Sequence, residues 1–157
     1  MKFLWFGKKK KSSAAIQEDV QTPELPTWSV NNFVLVESPL ANSSKTDRAA
    51  AQITTYLAGL VTESAGPAEL ALLEFLQERG TTSCVLKQFS QKSDGARAAK
   101  VSDSGATLLL GSPELIARAT MPFPRDITAA IEAGADQVFA IDALAYAAFS
   151  LSSSAKN

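Results

Sequence analysis

The side chains of this chain that could do chemistry are few, and their spacing removes most reaction types. There is no histidine, so imidazole acid–base catalysis, Ser–His–Asp and Cys–His nucleophiles and histidine-held metals are excluded. The single cysteine, Cys84, can form no intrachain disulfide and can hold no zinc with a second thiolate. It reads as a structural thiol in a strand, and its lone presence leans towards a cytosolic protein. Glu74 and Glu78 stand at i, i+4, but such a pair on a helix is the usual pattern of a solvated face, not of a carboxylate dyad. Neither a Gly-x-Gly-x-x-Gly nor a Gly-x-x-x-x-Gly-Lys-Ser/Thr loop occurs. Three short segments remain. Gly66-Pro67-Ala68-Glu69-Leu70-Ala71-Leu72-Leu73 comes first, Phe89-Ser90-Gln91-Lys92-Ser93 second, and Gly111-Ser112-Pro113-Glu114-Leu115 third.

The elements that must position these segments can be read from the apolar pattern. Asn32 to Glu37 is a short β-branched run that predicts a strand. Lys45 to Val61 carries Ala49, Ile53, Tyr56, Leu57 and Leu60 at helical spacing. Gly66-Pro67-Ala68-Glu69 predicts a helix start, with Pro67 in the first turn, and Gly80 marks the stop. Extended segments follow over Thr82 to Phe89, Ala96 to Ser102 and Thr107 to Leu110, with a turn at Asp103-Ser104-Gly105. Ser112 is placed to cap a helix opened by Pro113, and Asp126 to Gly134 predicts another. Gln137 to Ile141 and Leu144 to Leu151 predict a closing hairpin around Asp142-Ala143. Several strand connections are too short for crossover helices, which disfavours a parallel sheet. The expected fold class is α+β: an antiparallel β-sheet flanked by helices.

Charge divides the chain further. It has 157 residues and a formal net charge of −1, from 15 Lys+Arg against 16 Asp+Glu. Five of the lysines lie in residues 1–11, which hold no acid, so the remainder is mildly acidic. A nucleic-acid-binding domain would show the opposite bias, and none is expected as partner. Apolar residues make up 46%, enough for one packed core. Val138 to Leu151 is the longest nearly apolar run and is too short to cross a bilayer, which takes about 20 residues.

Residues 1–26 read as a basic and aromatic tail and linker, 27–151 as the folded domain, and 152–157 as a polar end. In the tail, Phe3, Leu4, Trp5 and Phe6 precede Lys8, Lys9, Lys10 and Lys11, the reverse of the order in a secretory signal. Aromatics beside a lysine run suit contact with an anionic membrane surface, and the same composition suits a plain solubilising tail.

Taken in order, the three segments resemble the nucleotide-binding domain of P-type cation-transporting ATPases, which carries Gly-Asp-Pro-Thr-Glu-x-Ala-Leu-like, Phe-Ser-x-x-Arg-Lys-like and Lys-Gly-Ala-Pro-Glu-like segments. The closing strands, Val138 to Asp142 and Ala147 to Leu151, also look like the last hairpin of that domain. The resemblance runs from about Asn32 to Leu151. It implies ATP as ligand. Phe89 would stack on adenine, worth about 1–3 kcal/mol, and Glu69 would accept from its amino group. Lys92 would approach the triphosphate as a point charge, and Gly111 would let the backbone come close to the base. Ser112 would fix the adjoining turn, with Glu114 at a helix start. Leu110 stands where the family has lysine, and the Arg-Lys pair is reduced to Lys92, with Arg97 displaced. The sequence contains no Asp-Lys-Thr-Gly-Thr phosphorylation segment and no Gly-Asp-Gly-x-Asn-Asp-like segment. The expectation is therefore a cytoplasmic, non-catalytic ATP-binding or regulatory module, touching the membrane only through its tail. A second reading makes it a protein-interaction module docked at the membrane by that tail.

Overall fold

In the computed structural model, residues 27–40, 43–63, 66–92 and 95–153 are described, and Trp28 to Ser154 form one compact unit. The elements run β1 (Trp28–Leu35), α1 (Ala50–Glu63), α2 (Pro67–Gln77), β2 (Leu86–Gln91), β3 (Arg97–Val101), β4 (Thr107–Gly111), α3 (Pro113–Ala117), α4 (Arg125–Glu132), β5 (Gln137–Ile141) and β6 (Leu144–Ser153). The six strands form one sheet in the order β1-β6-β5-β4-β3-β2, and every neighbouring pair is antiparallel. The expected α+β class is thus the observed one.

Strand periodicity explains how the sheet carries helices on both faces. Alternate residues point to opposite sides. Leu108, Leu110, Phe139, Ile141 and Phe149 pack towards α1 and α2, against Ile53, Leu57 and Leu72. Val138, Ala140, Ala145 and Ala148 face the other way, against Ile116 of α3 and Ile127 of α4. That second layer is built largely of alanines, whose small side chains admit the two short helices.

Several boundaries differ from the sequence expectation, each for a local reason. The first strand is Trp28–Leu35, earlier than Asn32 to Glu37, because it pairs with a β6 that runs on to Ser153. The ladder slips between Asn31 and Val34, where Asn32 takes a positive φ of 57°. A single helix from Lys45 to Val61 does not form. Ser44–Thr46 make one 3₁₀ turn, the backbone extends at Asp47, and α1 starts at Ala50. The buried Tyr146 hydroxyl donates to the Thr46 carbonyl, and Arg48 pairs with Asp142 at 3.0 Å. Those two anchors hold the segment out of helical register. Glu37 accepts the first α1 N–H, from Ala50, at 2.8 Å.

The stretch before β2, residues 81–85, has no regular secondary structure and lies outside the sheet ladder. Cys84 lies there, half-buried, and not in a strand as expected. It packs on Gly59 of α1, where a Cβ would fall 2.8 Å from the Cys84 sulfur and 3.0 Å from its carbonyl oxygen. The closing hairpin turns at Asp142 and Ala143, both with positive φ (51° and 69°), the backbone of a tight two-residue turn.

Candidate functional site

The three segments singled out in the sequence lie on α2, which packs on β1 and β6 and is tied to β3 by one ion pair, on the edge strand β2, and at the end of β4. Pro67 opens α2 without losing a needed N–H, which places Glu69 in the first turn. From there Glu69 Oε1 accepts the N–H of Gly66 at 3.1 Å, satisfying one of the helix's free donors. Its other oxygen, Oε2, receives the Arg97 guanidinium through Nη2. The two side chains are only 14% and 12% exposed, so this is a nearly buried ion pair. Arg97 Nε is also buried and finds no hydrogen-bond partner among the described residues.

Arg97 begins β3, with Leu110 of β4 on one side and Gln91 of β2 on the other. Its alternation with the buried Ala99 and Val101 puts it on the α1/α2 face. Phe89 lies on the edge strand β2, half-buried against the core on that same face. Gln88 has a positive φ of 56° and the β2–β3 ladder slips between Lys87 and Ser90, which brings Phe89 to the core side. Lys92 is exposed just beyond β2. Its N–H donates to the Ala96 carbonyl at 2.8 Å, and its own carbonyl accepts from Gly95 at 3.0 Å.

Gly111 closes β4 on the opposite face. A Cβ there would meet Ala96 at 3.4 Å and Ile116 at 3.5 Å, ordinary contact distances. Ser112 caps α3, its Oγ accepting the Leu115 N–H at 3.4 Å. Glu114 is exposed in the first turn of α3. The structure thus brings Glu69, Arg97 and Phe89 to one face, with Lys92 at its rim. Gly111 and Ser112 sit at the same sheet end but face α3.

The sequence reading gave Arg97 only as a displaced arginine and missed its pairing with Glu69. The signal was present: a lone arginine two residues before Ala99 and four before Val101 shares their buried face and needs an acid partner. Surface cavities open elsewhere, along β1 and the residues that follow it; one of about 450 Å³ lies between residues 32–34 and α4. Among the described residues, no group of three or more acidic or thiol side chains could hold a metal ion. No described helix is long and apolar enough to cross a membrane.

Burial shifts the titration of Tyr146 and Cys84. Burial pushes the Tyr146 phenol up from its ordinary value of 10.0, and Asp142 and Asp47 add to this while Arg48 opposes it. Burial likewise raises the Cys84 thiol from 9.0, with a smaller push from Asp103.

No protein-family model matches the sequence, and no curated protein matches it significantly. Solved structures do. The N-domain of HMA6, a copper-transporting P-type ATPase, superposes with a TM-score of 0.59 at 11% identity, over 80% of this chain and 99% of that one. The N-domain of HMA8, another copper-transporting P-type ATPase, also gives 0.59, at 9% identity, over 79% and 99%. This chain has the fold of a P-type ATPase N-domain. The catalytic domain of the CPx-ATPase CopB-B, whose conformational changes on nucleotide binding are known, matches with a TM-score of 0.55 at 17% identity. That match covers 83% of this chain, which spans only 38% of the CopB-B domain. The N-domain fold therefore accounts for the six-stranded sheet and both helical layers. The basic and aromatic segment of residues 1–26 lies outside the described residues, and so does Ser93.

Proposed function

We propose that this chain is a nucleotide-binding module with a regulatory, non-catalytic role in the cytoplasm, and that ATP is its ligand. The observation that carries this reading is the superposition on nearly the whole N-domain of HMA6, with Glu69 of the first segment joined to Arg97 beside the strand that carries Phe89. On that reading Phe89 supplies the stacking ring, and Lys92 reaches the phosphates from the rim. Glu69 and Arg97 form the polar wall, and Gly111 and Ser112 stand at the same sheet end on the α3 face. No nucleophile is proposed, since the sequence carries no Asp-Lys-Thr-Gly-Thr segment to accept a phosphoryl group.

Titration of the full chain with ATP to millimolar concentration, followed by amide NMR shifts, tests the reading. Saturable shifts at Glu69, Phe89 and Gly111 are expected. A flat titration overturns ATP binding. One observation favours a second reading in that event: both Glu69 oxygens are already engaged within the fold. The domain would then serve as a protein-interaction module that kept the architecture and lost the ligand.

A further inference from the structure

We propose that the cavity between β1 and the start of α1 is a binding site for a small monocarboxylate with an apolar body. The inference goes beyond the nucleotide reading and does not depend on it. The cavity measures about 350 Å³, the scale of a small-molecule site. Phe33 and Leu35 of β1 and Ala50 and Ala51 of α1 give it an apolar lining. Thr54 also lines it, but its hydroxyl is taken up by α1, donating to the Ala50 and Ala51 carbonyls at 3.1 and 3.2 Å. Glu37 already accepts the Ala50 N–H, so that donor is taken as well. What is left for an anion is Arg79, the one charged side chain among the described residues that line the cavity.

Arg79 is both accessible and held in place. Gly80, at a φ of 79°, ends α2, and the Thr81 N–H returns to the Leu76 carbonyl at 3.2 Å. This turn sets Arg79 and Thr81 together at the cavity. The Arg79 guanidinium lies over the Phe75 ring, 3.9 Å from its centroid. Phe75 in turn packs on Phe33, with ring centroids 5.1 Å apart. Stacking uses the face of the guanidinium and leaves its N–H edge for an acceptor. Arg79 is exposed, and it forms no ion pair among the described residues. A carboxylate accepts two parallel N–H bonds from such an edge. A single cation with no second basic group beside it suits a monoanion better than a phosphate. The apolar body of the same ligand would cover Phe33 and Leu35, which the fold leaves half-buried.

The test titrates the full wild-type chain with phenylacetate, phenethyl alcohol and acetate, followed by amide NMR shifts. The alcohol keeps the apolar body and lacks the charge; acetate keeps the charge and lacks the ring. Phenylacetate is expected to give saturable shifts at Phe33, Ala51 and Thr81, with affinity at least about tenfold above either fragment. R79Q removes the charge at an exposed position and is expected to bring phenylacetate down to the level of the alcohol. Phenethyl alcohol binding as tightly as phenylacetate overturns recognition by Arg79. Acetate binding as tightly overturns the role of the apolar lining. Absence of saturable shifts at Phe33, Ala51 and Thr81 overturns the site, whatever ATP does at Glu69 and Phe89. The three wild-type titrations decide the matter even where R79Q fails to fold.

Discussion

Glu69 and Arg97 show how one residue can serve structure and site together. Glu69 caps α2 through Gly66 and neutralises a nearly buried guanidinium; Arg97 depends on that carboxylate alone among the described residues. The dependence is unequal, which makes it measurable. E69A strands Arg97 and removes the cap, whereas R97A leaves Glu69 its bond to Gly66. Both variants are expected to destabilise by urea unfolding, E69A by on the order of 3–5 kcal/mol and R97A by about 1 kcal/mol less. The double variant should cost well under the sum of the two, a coupling of about 1–3 kcal/mol. Additive losses would mean that the pair contributes nothing as a pair. Glu69 was legible in the sequence because Gly-Pro-x-Glu is a helix-start signal. Its partner was not singled out, because the pairing joins residues 28 apart in sequence through sheet register, which no local pattern encodes.

At the scale of elements, hydrophobic period located the helices and strands, and tertiary contacts trimmed them. The hairpin at Asp142-Ala143, the cap at Ser112 and the stop at Gly80 were legible, since each depends on neighbours in sequence. The break between Lys45 and α1 was not, because it is imposed by Tyr146 and Asp142, about 100 residues away. The contact of Cys84 with α1 is another case. Glycine inside a helix normally costs about 1 kcal/mol relative to alanine, so G59A would stabilise an isolated helix. Here the added Cβ would press on the Cys84 sulfur and carbonyl. G59A is therefore expected to lower stability by about 1–3 kcal/mol, the usual range for overpacking. Adding C84A should recover part of the loss and not all of it, because the carbonyl stays. A stabilised G59A would show that the segment before β2 moves away freely. Thermal and urea melts of the three variants measure this.

At the scale of the whole molecule, the fold class and the N-domain architecture were legible, since antiparallel connections and three ordered segments suffice to define them. Stability of the whole against pH follows from a buried phenol and a half-buried thiol. The Cys84 and Tyr146 pKa values are both raised in the folded state, so folding favours their neutral forms. Below their ordinary values of 9.0 and 10.0 both states are neutral at these groups and the contribution is fully present. As pH rises past those values the unfolded chain loses its protons first, and stability falls. The urea midpoint should therefore hold from pH 7 to 8.5 and decline above about 9, with a shallower decline in C84A. A midpoint that rises with alkalinity would contradict the burial of both groups.

The pairing of Trp28 with Ser153 sets the two ends of the sheet's chain path side by side, at one edge of the molecule. Tension applied through the flanking segments would not shear that ladder, in which case all its bonds would resist at once. It would peel β1 from β6 one rung at a time, starting at Trp28 and Ser153 and stopping first at the slip near Asn32. The two packed cores do not protect the domain from a pull along its own ends, which meets one rung of that ladder at a time. Adjacent entry and exit points also let such a unit sit inside a loop of a larger protein while asking for little rearrangement there.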